Sequence, residues 1–485
     1  MTDGPLVPDL RLHPLSATIV WLRHLPQNVI GLPAILAVTS SMSWGTVLLL
    51  ALSLGLFNLV AAYSRWWRFR YAIGNDEIVI ESGLISKNRR VIPLTRVQDV
   101  EIEQALLHRL FGLAKVRLET GSGGKDEGLL DSLSLNEAQR LRALLKREAR
   151  PSAVTEKSET SVPLFRMPLA RILRMGALSF SFASIAAAMG SGFVLLTQFD
   201  QTLGEPERLW GLAWRYGALV VERGWLLPAI LVFLALAAVF SMGGAVVRDF
   251  GYSLEKEERG FRRKRGLLTR SDVLIPISRV QAGLVTNGPV WDRLGWHHLS
   301  LQTMGGGDGA GGHQAAAPFA RIEEVAGILE QIPPLALLPD KPLNPVSSRH
   351  VPARLLGSCG WLIVAILLAG AFWPAVFLAA ILVPIVALAT WADARRHGWR
   401  TEMGLVWVRS GFWTRKLWII PITKIQSLAV EQGPIQRRFG LASLVIDTAG
   451  ASLLGGGHIQ NLTLDGARAL CSELAQETWQ KRPIG

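Results

Sequence analysis

The sequence predicts a membrane protein of the α plus β class: six transmembrane helices in three hairpins, each followed by a small, strongly bent sheet closed by a C-terminal helix. Three observations predict it. The composition is too apolar for a wholly soluble chain, with 49% hydrophobic and 18% charged residues in 485 and a mean hydropathy of +0.29. The apolar runs come in pairs. One phrase is then spelled three times, each time behind such a pair: VIPLTRVQDV from Val91, LIPISRVQAG from Leu274 and IIPITKIQSL from Ile419.

A bilayer core takes about 20 mostly apolar residues per helix. The runs that meet this are 25–42 with 44–63, 172–197 with 224–247, and 354–372 with 373–391. Pro26 and Pro33 interrupt the first run, and Pro228 predicts a kink in the fourth. Arginines set the orientation. Arg65, Arg68 and Arg70 leave the second span, Arg166, Arg171 and Arg174 precede the third, and Arg248 leaves the fourth. Arg349 and Arg354 precede the fifth, and Arg395, Arg396 and Arg400 leave the sixth. All fall on one side, so the positive-inside rule places both termini and every large soluble segment in the cytoplasm of a multi-pass membrane protein. Trp44, Trp66, Trp67, Trp225, Trp373, Trp391 and Trp399 stand at span ends, as interfacial anchors do. Charged residues that would line a transport path are essentially absent from the span interiors. The helices therefore read as anchors packed through small residues such as Gly190 and Gly192 or Gly243 and Gly244.

A formal net charge of +13 suits either nucleic acid or an anionic membrane surface, and the apolar runs decide for the membrane. Anionic lipids are thus expected partners, and nucleic acid is not. Two cysteines, Cys359 and Cys471, supply neither a disulfide framework nor paired metal ligands. The N-terminal stretch lacks the basic, apolar and small-residue succession of a secretory signal.

Behind each helix pair the same residue types recur at fixed spacing. Gly83, Pro93, Gln98 and Gly112 in block one match Gly266, Pro276, Gln281 and Gly295 in block two, and Gly411, Pro421, Gln426 and Gly440 in block three. A threefold match of this kind is an internal repeat. Within block one, Val100 and Ile102 alternate with Asp99, Glu101 and Glu103, and Val116 and Leu118 with Lys115, Arg117 and Glu119, the period of half-buried strands. The glycines at 83, 266 and 411 predict hairpin turns, and the repeated prolines predict strand ends. Each block closes on a helical pattern, opened in block one by a Ser134 and Glu137 capping box. The expected organisation is a hairpin over 1–64, block one over 65–150, a linker over 151–171, a hairpin over 172–247, block two over 248–334, a linker over 335–353, a hairpin over 354–391 and block three over 392–482.

Most of the repeated phrase serves the fold: proline supplies a fixed φ at a strand end, and the glutamines Gln98, Gln281 and Gln426 satisfy backbone groups at the next strand's start. The cation in it, Arg96, Arg279 or Lys424, is least explained by packing, and a lipid phosphate or a neighbouring domain would give it a partner. A second candidate is the basic run RGFRRKRGLLTR from Arg259, in which Arg262, Arg263, Lys264 and Arg265 are consecutive. Each cation near an anionic surface is worth about 1 kcal/mol, so the run is a candidate lipid-facing hairpin. Glycine-rich stretches precede each terminal helix, but none ends in the Gly-Lys-Ser/Thr that grips phosphate. His297 and His298 lack a partner at metal-ligand spacing, and no nucleophile elbow or cysteine motif argues for an enzyme. No cofactor is expected.

The aromatic starts at Tyr71 and Trp399, the hairpin glycines, the I-P-[LI]-[TS]-[RK]-[VI]-Q core and the R-[LR]-F-G-L of Arg109–Leu113 and Arg437–Leu441 together resemble a known family. It is that of the bacterial pleckstrin-homology (PH)-like membrane proteins, of the YdbT-like type with three helix pairs and three domains. The resemblance implies a PH-like β-barrel or sheet in each block and a membrane-bound, non-enzymatic role as a binding or scaffolding platform. It further implies a smaller membrane protein with one PH-like domain as partner, a place in envelope stress or defence, and leaves room for oligomers. The alternative is lipid binding, or lipid or solute transport, through the basic hairpin of block two. Block two departs from the pattern: it reads Asn287 where the others have Gln104 and Gln432, and WDRLGW in place of R-[LR]-F-G-L.

Overall fold

The computed structural model describes residues 8–22, 44–74, 76–83, 86–120, 128–148, 163–179, 211, 215, 222–304, 312–336, 338–339, 341–450 and 457–480. The predicted first span, 25–42, and the third beyond residue 179 lie outside these, as does nearly all of the connection 199–223.

Residues 8–22 come first, with Leu10 bridging Tyr71 and Leu12 in the core of block one; helix α1 (Trp44–Arg68) then leads into that block. Strands β1 (Arg70–Ile73), β2 (Glu77–Ser82) and β3 (Asn88–Pro93) form an antiparallel meander. One turn of 3-10 helix, Leu94–Arg96, leads into β4 (Val97–Gln104), and the short α2 (Leu106–Leu110) precedes β5 (Leu113–Thr120) and β6 (Leu129–Ser134). Helix α3 (Leu135–Glu148) closes the block, with the Ser134 Oγ accepting the Glu137 N–H at 3.2 Å as the capping box requires. Apolar residues from both sheets and the helix, among them Ile78, Ile92, Val100, Val116 and Leu141, share one core.

Block two follows β7 (Phe165–Arg166), α4 (Leu169–Leu178) and α5 (Leu226–Asp249). It repeats the plan as β8 (Ser253–Glu257), β9 (Gly260–Arg265), β10 (Arg270–Pro276), a 3-10 turn at Ile277–Arg279, β11 (Val280–Asn287), α6 (Pro289–Arg293), β12 (His297–Thr303), β13 (His313–Ala320) and α7 (Ile322–Glu330). After β14 (Asn344–Pro345), α8 (His350–Gly370) and α9 (Leu382–Ala394), block three runs β15 (Gly398–Glu402), β16 (Leu405–Ser410), β17 (Arg415–Pro421), a 3-10 turn at Ile422–Lys424, β18 (Ile425–Glu431), α10 (Pro434–Phe439), β19 (Leu441–Thr448), β20 (Gly457–Thr463) and α11 (Leu464–Gln480). The spacing of the sequence repeat is thus the spacing of one supersecondary plan.

Among the described residues, three helices are long and apolar enough to cross a membrane: Leu231–Asp249, His350–Gly370 and Val376–Ala394. Three expectations about the helices change. Pro228 lies in the first turn of α5, where its missing N–H costs nothing, and it is followed by unbroken helix. Gly243 and Gly244 have no atom within 4 Å of where a side chain would start; the close approach of α4 to α5 is made at Gly176, whose Cβ would stand 2.5 Å from the Met242 Cα. Trp66 and Trp399 pack against the cores of blocks one and three, and Trp66 Nε1 donates to the Leu12 carbonyl at 2.9 Å, whereas Trp67, Trp225, Trp373 and Trp391 are exposed.

The chain divides into two compact units, Met1–Ser161 with Arg166–Ser253 and Arg263–Leu274, and Val162–Phe165 with Leu254–Arg262 and Ile275–Gly485. The division falls inside β8, β9 and β10. In the first unit β4 pairs with β5 on one side and with β10 on the other, in the register Arg270↔Gln104, Ser271↔Glu103, Asp272↔Ile102. In the second unit one seven-stranded sheet has the order β13-β12-β11-β17-β16-β15-β14. Here β11 of block two pairs with β17 of block three from Asn287↔Arg415 to Gly283↔Ile419. Blocks are therefore not closed on themselves: the second sheet of each continues into the first sheet of the next. The physical reason is the edge. β4 and β11 would otherwise present a row of unpaired N–H and C=O groups, and the following block covers it. The cores follow the sheets, since Ala282 and Leu284 of β11 belong to the buried cluster of block three. The expected linker over 335–353 also contributes to this sheet, through β14 pairing with β15.

Candidate functional site

The thrice-written phrase is a corner. In each block the proline ends the last strand of the first sheet with ψ near 130° (132°, 131° and 132° at Pro93, Pro276 and Pro421), and the next three residues make a single 3-10 turn into the second sheet. Proline suits this position because its φ is already set and the corner needs no donor from it.

The cations of the corner then separate. Lys424 Nζ donates to the carbonyl of Ser278, in the corner of the preceding block, at 3.2 Å. Arg279 is buried, and Gln281, also buried, donates from Nε2 to the Arg279 carbonyl at 3.0 Å. Arg96 and Gln426 are exposed; Gln98 lies in β4 and its side chain is outside the described residues. Of the three cations, Lys424 thus has its contact with a neighbouring block.

The second repeated motif clasps the same junctions. Arg109, opening R-L-F-G-L, donates from Nη1 to the Leu267 carbonyl of the next block's hairpin at 2.6 Å, and Arg142 of α3 grips Asp272 of β10 at 2.9 Å. Block two holds Asp292 at the place of Arg109, and Asp292 pairs with Arg415 of β17. Gln104 and Gln432 donate to the carbonyls of Leu113 and Leu441, at 3.0 and 2.8 Å. Asn287, one methylene shorter, turns instead to Asp292 at 2.8 Å. The two departures of block two are one network fitted to Arg415. Sequence reasoning missed it, because the partner lies in another block.

The basic run is less of a surface than its composition predicts. β9 alternates, so Arg263 points inward and is completely buried. Arg262 pairs with Glu257 at 3.1 Å and Arg265 with the buried Asp249 at 3.3 Å, Lys264 is half-buried, and Arg259 and Arg270 are exposed.

An open pocket of about 490 Å³, lined in equal part by polar and apolar groups, lies in the second unit where α8 meets block three; Arg354, Ser358, Trp361, Ile435, Gln436 and Gln460 are among its walls. Arg354 bonds Asp393 at 2.5 Å and Gln460 at 2.9 Å, and Asn461 holds a left-handed φ of 55° while accepting from Gln436. Beside it His397 is buried and accepts the Gln460 backbone N–H on Nε2 at 3.2 Å. Burial and the adjacent His350 ring push the His397 imidazole down to about 4, against the pull of Asp393. A folded value below the unfolded one means that the unfolded chain binds more protons between them. Stability is therefore full above about pH 6.5 and falls by roughly 3 kcal/mol as pH drops toward 4. Thermal unfolding of the full chain from pH 7.5 to 4.5 checks this, and a His397→Gln variant with the same pH slope as wild type would refute it. Among the described residues no group of three or more metal-ligating side chains forms.

A family model described as Bacterial PH domain matches residues 27–149, 209–335 and 353–478. The UPF0699 transmembrane protein YdbT of Bacillus subtilis (strain 168) is 24% identical over 486 residues, covering 94% of each chain. The UPF0699 transmembrane protein YdbS of the same organism is 32% identical over 106 residues, which are 22% of this chain and 64% of that one. No solved structure matches.

Proposed function

The chain belongs to the bacterial PH domain family, and from that premise we propose that it is a non-enzymatic binding platform of the cytoplasmic membrane, its helices holding three PH-like domains at the cytoplasmic face. One observation carries the reading: at both internal junctions a strand edge and charged side chains join one block to the next. Lys424, Arg109 and the edges of β4 and β11 serve the junctions, which suits an array that presents surfaces. The partner is a smaller membrane protein with one PH-like domain, held beside anionic lipids of the inner leaflet.

A second reading, lipid binding, draws support from the half-polar, half-apolar pocket beside α8 rather than from the basic run. Its Arg354, Gln436 and Gln460 lie where an apolar helix meets a polar domain, a place suited to a lipid headgroup. The test is capture of the intact, tagged protein from its native membrane in lipid nanodiscs, with mass spectrometry of retained proteins and lipids. The platform reading expects a stoichiometric small membrane protein with a single PH-like domain. Selective enrichment of one lipid class without such a protein would overturn it in favour of the second reading.

A further inference from the structure

Both internal junctions have the same register. Arg270 and Arg415 each stand four residues after the hairpin glycine of their block, and they lie opposite Gln104 and Asn287, the matching amides of the preceding blocks. The rule that joins block one to block two also joins block two to block three.

Among the described residues this rule leaves two edges over. β3 ends the sheet β1-β2-β3, although its counterparts β10 and β17 are paired; β18 ends the sheet β18-β19-β20, although its counterparts β4 and β11 are paired. Their burial differs accordingly. Val91 of β3 is 47% exposed, whereas its counterpart Ile419 is completely buried, and Ala429 of β18 is exposed where Leu284 of β11 is buried.

The motif residues at these edges are left over too. Arg96, counterpart of Lys424, is exposed, and no corner of another block among the described residues stands at its place of contact. Arg437, counterpart of Arg109, is exposed on α10, and no hairpin of another block among the described residues stands at its place of contact. Charges can blunt an edge against pairing, and Arg89 and Arg90 sit on β3. That is not their effect here, because β17 carries Arg415 and Lys416 and pairs with β11 through both.

We propose that two copies of this chain associate head to tail, β18 of one pairing with β3 of the next in the register of the internal junctions. Asn88 then lies opposite Glu431, Arg89 opposite Val430, Arg90 opposite Ala429 and Val91 opposite Leu428. Arg96 of one copy reaches the Thr423 carbonyl of the other, as Lys424 reaches that of Ser278, and Arg437 clasps the hairpin begun by Gly83. A second copy is the occupant because this chain carries both complementary edges. The contact is heterologous, so it repeats along the membrane as a ring or an open row. The inference goes beyond the platform reading and is independent of it: the contact forms whether or not another protein is captured.

Directly opposed residues in antiparallel strands are close enough for a disulfide, so the register can be tested in membranes of expressing cells. Full-length chains with Cys359 and Cys471 replaced by serine are co-expressed with different tags, one bearing Asn88→Cys and the other Glu431→Cys, and oxidised with copper phenanthroline. A single chain carrying Glu103→Cys and Ser271→Cys, Cα partners in the first junction, is the positive control. The expected result is a mixed dimer between the two tags, lost when Arg96→Ala and Arg437→Ala are added. No mixed dimer while the control closes would overturn the proposal. So would dimers only between like tags, or an adduct with a smaller chain in place of the second copy. Closure within a chain bearing both Asn88→Cys and Glu431→Cys, instead of dimers, would equally overturn it.

Discussion

Replacing Gly411 with alanine is expected to destabilise block three by about 3 kcal/mol or more. Gly411 holds φ +93°, and a Cβ there would stand 1.9 Å from the Thr414 carbonyl oxygen. That oxygen is backbone and cannot move aside without opening the turn between β16 and β17. The same clash recurs at the other hairpin glycines, with Ser86 at 1.9 Å from Gly83 and Thr269 at 1.8 Å from Gly266. Gly440 provides the contrast: its φ of +64° is the ordinary left-handed value, and the nearest foreign atom to its Cβ would be the Arg349 Nη1 at 3.7 Å. Gly440→Asn is therefore expected to cost about 1 kcal/mol or less, since asparagine visits this conformation. Thermal unfolding of the purified full chain, with limited proteolysis to locate the loss, ranks the variants. Equal midpoints for Gly411→Ala and wild type would show that the fixed glycine spacing has another cause.

Arg263→Ala is expected to remove roughly 3–5 kcal/mol from block two, because truncating a buried, partnered charge strands its partners in a low-dielectric interior. The exposed neighbours Arg259 and Arg270 supply the comparison: alanine at either should change stability by about 0.5 kcal/mol or less. Binding to vesicles containing phosphatidylglycerol should not follow Arg263. A variant that stays as stable as wild type but loses vesicle affinity would return Arg263 to the membrane surface and refute its structural assignment. The distinction matters, since counting charges along Arg259–Arg270 treats inward and outward residues of β9 alike.

Much of the organisation was legible in the sequence because it rests on local constraints. A glycine at positive φ and a proline at a sheet corner each act within a few residues, so their spacing survives in three divergent blocks and marks one plan. Apolar runs of sufficient length likewise announce membrane helices without reference to anything distant. Alternation predicted strands, yet it carries no information on which strand a given edge will meet. The pairing of β4 with β10 and of β11 with β17 is a long-range choice, made by backbone groups that every residue possesses alike. Sequence left a lipid phosphate and a neighbouring domain equally open for the corner cation; only the tertiary structure placed Lys424 against Ser278 of the preceding block. It also showed Asn287 and Asp292 as one adjustment to Arg415. Short-range geometry determined what each block is; contacts between blocks decided what Lys424, Arg109 and Asp292 are for.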